Sequence, residues 1–155
     1  MKKFLSLIFL LILSISLYSQ KIYLGTSKLE SKILYTIRGG YIYKNTSFMT
    51  SDMIAYFDGI HVYDLHKSRY YTNDDIILTY DKNKIYAGNS TMQSDLIANY
   101  DNHKLYIKES LMYFDCLFTY YDNKVYMRNS TRNSDIMLTT SDYIHPIILF
   151  YILLR

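Results

Sequence analysis

With 155 residues, half of them apolar or aromatic, the chain is long enough for one ordinary domain with its own core. The 19 Tyr, the absence of Trp and the single Pro favour strands over helices, and the lone cysteine, Cys116, excludes an internal disulfide and a cysteine metal cage. Setting Lys2 and Lys3 aside lowers the formal charge from +3 to +1, with 15 basic against 14 acidic residues, which removes the clustered excess that nucleic-acid binding needs.

Residues 1–20 have the parts of an export signal: Lys2 and Lys3, an apolar run from Phe4 to Leu17, and the small residue Ser19 near the expected cleavage point. An uncleaved membrane anchor is the competing reading, because about 17 apolar residues can span a bilayer. No cysteine follows the run to carry a lipid.

Residues 21–143 then form six copies of one unit, starting at Lys21, Tyr41, His61, Lys84, Lys104 and Lys124. Each has 20 residues except the third, which carries three more around Lys67 to Tyr71. The second position is always aliphatic and the third always tyrosine, from Ile22 and Tyr23 to Val125 and Tyr126. The second half of a copy opens with an aspartate in five of six (Asp52, Asp75, Asp95, Asp115, Asp135), with Lys32 the exception.

Alternation follows, with Ile76, Leu78 and Tyr80, or Cys116, Phe118 and Tyr120, on one strand face and Thr79 and Thr119 on the other. Turn residues join the copies at Gly39-Gly40, Asp58-Gly59, Asp101-Asn102 and Asp122-Asn123, so the second strand of one copy should fold back on the first strand of the next. The expected fold is all-β, about a dozen short strands from six two-strand repeats, closed as a ring or stacked as a β-solenoid. A propeller fits poorly, since its blades need four strands each.

The strings KIYAGNSTMQSDLIANYDNHKLY (84–106), FDCLFTYYDNKVY (114–126) and VYMRNSTRNSDIML (125–138) resemble the repeat of the septoil-knot domain proteins. These are small bacterial β-repeat proteins whose chain is wound as a torus knot with seven crossings. The resemblance covers residues 21 to 143, and it implies strands that pair with copies distant in sequence. Copy one, which lacks the aspartate, and copy three, with its insertion, depart from the pattern.

Residues 144–155 form an apolar tail. After Pro146 the run Ile147 to Leu154 is about half a bilayer span, and it reads as a last strand or a short plug against the body. It has no polar face of the kind an interfacial helix carries.

Candidate chemistry is thin. The aspartates could suggest the paired acids of a glycoside hydrolase, but equivalent sites should have like protonation, and acceptors for turn N–H groups are expected instead. His61, His66, His103 and His145 lack metal spacing, and Cys116 stands where other copies have an aliphatic residue. The polar loops lack the dense carboxylates of calcium loops, and Asn45, Asn89 and Asn129 head glycosylation triplets because the turn recurs.

The expectation is therefore an exported, monomeric, non-catalytic module with a structural or surface-binding role. Its partner would be a protein or glycan at the cell surface, with no nucleic acid, cofactor or metal and no catalytic residue assigned. A hydrolase built on the irregular third copy, from Asp64, His66, Asp74 and Asp75, is the alternative. The insertion and the tail are where a specific function should lie.

Overall fold

A computed structural model describes residues 18–65 and 71–155. Residues 1–17 of the expected leader, and 66–70, which take in His66 and most of the insertion, lie outside the described residues.

Each copy supplies two strands. Copies one to three give β1 (Gln20–Leu24) and β2 (Ile33–Arg38), β3 (Tyr41–Lys44) and β4 (Met53–Phe57), then β5 (His61–Asp64) and β6 (Ile76–Asp81). Copies four to six give β7 (Lys84–Ala87) and β8 (Leu96–Asp101), β9 (Lys104–Ile107) and β10 (Cys116–Tyr121), then β11 (Lys124–Met127) and β12 (Ile136–Thr140). All pairings are antiparallel and run in chain order, and β1 pairs with β12 through Ile22↔Thr140 and Leu24↔Leu138. The sheet is thus a closed twelve-stranded barrel without edges. Among the described residues no strand pairs with a distant copy except across that closure, so the interlaced pairing implied by the septoil-knot resemblance is not how these strands are joined.

Two-residue hairpins connect the copies at Gly39-Gly40, Lys82-Asn83, Asn102-His103 and Asp122-Asn123, and both residues of each have positive φ. That is the turn whose twist matches the flanking strands. One corner is therefore Asn102-His103, with Asp101 still inside β8, one residue later than the turn chemistry suggests. The join between copies two and three is longer, and Asp58 Oδ1 caps it by accepting from the N–H groups of Ile60 and His61.

Inside each copy the two strands slip register by one residue, as where Ile22 faces Tyr35 but Tyr23 faces Ile33. The same bulge recurs in the other five copies. It breaks the simple alternation: Leu78, Phe118 and Tyr120 join the central cluster, whereas Ile76 and Cys116 are buried outside it, opposite Tyr63 and Tyr106. The extra residue of the bulge, Ile77 in copy three and Leu117 in copy five, has no partner across the strand pair and packs against the cluster together with Leu78 or Phe118.

The second position of every copy points into the barrel, and all six of these residues are fully buried. The tail fills the same space as the helix α1 (Pro146–Leu153), with Pro146 to Ile152 buried. An element apolar on every side suits a site enclosed on every side. The run is therefore a plug, and it is helical, with His145 as N-cap and Pro146 in the first turn, where its missing N–H costs nothing.

A polar bolt joins neighbouring copies outside this core. Thr36, Thr79, Thr119 and Thr139 donate to the carbonyls of Asn45, Gly88, Arg128 and Gly25 at 2.6 to 2.9 Å. Asn99 does the same work on Lys108 at 2.7 Å.

Candidate functional site

The repeated aspartates belong to the scaffold, with a partner other than the one expected. Each of Asp52, Asp95, Asp115 and Asp135 accepts from a serine hydroxyl five residues earlier, Ser47, Ser90, Ser110 or Ser130. That serine oxygen in turn accepts the N–H two residues on, at Met49, Met92, Met112 or Arg132. The acid thus secures the loop through a serine instead of binding turn N–H groups itself. Asp75 comes closer to the expectation, accepting from both the N–H and the hydroxyl of Thr72 in a capping box. Hydrogen bonds from Ser130 and Ser134 lower the Asp135 pKa.

The described third-copy residues considered for hydrolysis each have their own setting. Asp64, at the end of β5, meets Arg155 at 3.5 Å, Asp75 is held by Thr72, and Asp74 is exposed on the following turn. His66 lies outside the described residues. Among the described residues, no group of three or more His, Cys, Asp or Glu could hold a metal ion.

The other histidines have separate local roles. His61 Nδ1 sits 3.0 Å from Asp58 Oδ2, and His103 turns a hairpin and meets Tyr121 edge-on. His145 caps α1 between Tyr80 and Phe57, where burial pushes its pKa down. Cys116 is buried, its thiol reaching the Phe118 carbonyl at 3.5 Å, and burial raises its pKa, away from the reactive thiolate.

Among the described residues, Asp58 is the most perturbed carboxylate. Burial alone would raise it, but the N–H of His61, the His61 ring, the N–H of Ile60 and the Tyr63 hydroxyl together hold it at about 2. Beside it the repeat changes character, for Tyr56 takes the place of the bolting Thr. Its ring lies 4.7 Å from Tyr41 and 4.7 Å from Tyr71, and Tyr71 is also 4.9 Å from Tyr63. These rings cover one another, so the cluster fastens Tyr71, at the end of the insertion, to the barrel wall.

Open surface of two kinds remains. Shallow grooves lie between consecutive copies, each bounded by a hairpin and by the loop of the following copy. One of about 500 Å³ is lined by His61, Tyr80, Asp81, Lys82 and Asn89 among others, and its counterpart one copy on, of about 450 Å³, by Lys84, Asn99, Tyr100, Asp101 and Glu109. Lys84 and Glu109 pair across the second at 3.1 Å. The loops between the strands of a copy also expose Leu29, Met49, Met92 and Met112 at one equivalent position. Copy five adds Tyr113 and Phe114, where the other copies carry pairs such as Gln93-Ser94 and Asn133-Ser134. This departure is visible in the aligned sequence, but its exposure is not.

Among the described residues no helix is long and apolar enough to cross a membrane. No curated protein and no solved structure matches the chain. The family model described as the 6-fold beta flower protein matches residues 22–150, taking in all six copies and most of α1. The match spans well over half of the sequence, and the chain belongs to the 6-fold beta flower family, a family of small β-repeat proteins.

Proposed function

We propose that the protein is an exported, non-catalytic β-ring that holds a cell-surface ligand, a glycan or an exposed peptide, in the grooves between its copies. One observation carries this reading: two comparable grooves lie one copy apart, each offering one tyrosine ring beside amide and charged groups. Repeated shallow sites of this kind gain strength when one ligand engages several together. The polar residues of the scaffold are occupied with one another through the Ser–Asp pairs and Thr bolts, which is the chemistry of a rigid support. Export rests on the leader read from residues 1–20.

A glycan array and a pull-down from cell-surface extract, both with the full chain, test the reading. A captured ligand that is lost from a Tyr80→Ala, Tyr100→Ala double variant supports it. A ligand that is cleaved, with cleavage abolished by Asp75→Asn, would replace it with the hydrolase of the third copy. Silence in both screens would leave a purely structural role.

A further inference from the structure

Two departures from the repeat face one cavity. In five copies the 3-10 turn after the polar loop starts with a polar residue (Glu30, Thr50, Asn73, Gln93, Asn133), but in copy five it starts with Tyr113, which is 70% exposed. The residue before that turn is apolar in four copies (Leu29, Met49, Met92, Met112), but in copy six it is Arg132. Copies five and six are neighbours through β10 and β11, and Tyr113 and Arg132 line the same pocket of about 330 Å³, together with Asn129, Ser130, Thr131 and Asp135. At the preceding junction Gln93 stands for Tyr113 and Glu109 for Asn129, and there Lys84 and Gln93 both lower the Glu109 pKa. The ring thus makes such a junction without an aromatic ring or a guanidinium, and its closure requires neither departure.

The lining selects the ligand. Ser130 donates to Asp135 Oδ2 and Ser134 to Oδ1, and these bonds keep the carboxylate ionised while leaving a lone pair on each oxygen. Ser130 Oγ also accepts the Arg132 N–H, which fixes the backbone under the pocket. Among the described residues no carboxylate comes within ion-pair distance of the Arg132 guanidinium. One positive and one negative group therefore balance at the pocket. An entering anion would meet Asp135 and an entering cation would meet Arg132, whereas a neutral, hydroxyl-rich ligand can accept from one and donate to the other. No Leu, Ile, Val or Met lines the walls, so an apolar peptide side chain would find little to contact beyond one tyrosine ring.

We infer that this pocket binds one neutral hexose unit of a glycan, with its C–H face on the Tyr113 ring and its hydroxyls among Arg132, Asn129, Thr131 and Asp135. A pyranose joins an apolar face to a rim of hydroxyls, which suits an exposed aromatic wall beside polar groups. The inference rests on the surface-binding reading above, narrows its ligand to a neutral glycan and adds a third site to the two grooves.

An NMR titration of the full chain with neutral disaccharides of glucose, mannose and galactose tests it. At least one should move the backbone amide signals of Asn129 and Thr131, a map that needs no variant. Arg132→Met and Tyr113→Gln each install a residue the repeat itself carries at that position, in copies five and four, so their urea midpoints should match the wild type. Each should weaken the binding at least about tenfold, the worth of one good polar or stacking contact.

Four results would overturn the proposal. Shifts confined to Tyr80 and Tyr100, with Asn129 and Thr131 unmoved, keep the surface-binding reading and remove this pocket. Binding at Asn129 and Thr131 that survives both substitutions removes the two departures from it. Tighter binding of the matching uronic acid or amino sugar removes the neutral class. No shift with any saccharide removes the glycan, and the pull-down above then decides separately whether a peptide keeps the broader reading.

Discussion

The Thr139 hydroxyl donates to the Gly25 carbonyl at 2.6 Å, across a separation of 114 residues. The bond matches the one from Thr79 to Gly88, nine residues apart, in both length and position in the repeat. The Gly25 N–H also meets the Met137 carbonyl as the Gly88 N–H meets Ile77, so the seam between the last copy and the first is built like any other junction.

Equal chemistry at the seam predicts equal cost. Thr139→Val and Thr79→Val each leave a part-buried carbonyl just past a strand end without that donor, a loss of about 0.5–1.5 kcal/mol. Urea denaturation should give similar shifts for the two. A Thr139→Val variant that behaves as wild type would mean the seam is open in solution.

The hairpin at Gly39-Gly40 separates two kinds of glycine requirement. A Cβ on Gly39 would meet nothing within 4 Å, and Gly39→Ala should cost only the left-handed backbone, about 1–2 kcal/mol. A Cβ on Gly40 would lie 2.5 Å from the Phe57 carbonyl oxygen and 2.8 Å from the Tyr56 ring. Gly40→Ala should therefore be clearly the more damaging, with thermal melts as the measure.

Leu149 is fully buried at the middle of α1. Leu149→Ala opens a cavity along the barrel axis and should destabilise by about 2–5 kcal/mol. Because the helix fills the interior of all six copies, a single cooperative transition at a lower midpoint is expected, not a partial one.

Burial holds His145 below its usual pKa of about 6.5, so the unfolded chain takes up the proton first. Its contribution is full above that pH and is lost as pH falls through the depressed folded value. The urea midpoint of the wild type should drop between about pH 7.5 and about pH 5, a window that brackets the ordinary histidine value. In His145→Gln the drop should be smaller.

Asp58 works in a lower window. With its carboxyl held at about 2, its contribution is present above its unfolded pKa of about 3.9 and is lost as pH falls towards 2. Removing the hydroxyl that donates to it, in Tyr63→Phe, should raise the pKa measured by NMR titration.

The grooves and the loops between strands illustrate how far the chain can be read without coordinates. That each copy holds two strands, a polar loop and a turn could be read from aliphatic-Tyr pairs such as Ile85-Tyr86 and from turn residues such as Asp122-Asn123, because strand alternation and turn chemistry are local. The face of Ile76 could not, since a bulge looks in sequence like one more apolar residue. The aspartate partners were also out of reach: Ser90 and Asp95 are five apart on a loop of no regular period. The exposed pair Tyr113-Phe114 could be picked out as a departure, but a tyrosine and a phenylalanine would read equally well as core.

What the sequence by itself determined is the unit: its length, its two strands, its turns and its sixfold repetition, all set by interactions within about twenty residues. What only the tertiary structure decided is how the units meet. Local patterns do not encode the angle by which one bulged hairpin turns relative to the next, and that accumulated angle brings β12 back to β1 and closes the ring. Closure then creates an enclosed apolar interior. Only there does a run such as Ile147 to Leu153, as suited to a strand as to a helix, become a helix with every side buried up to Ile152.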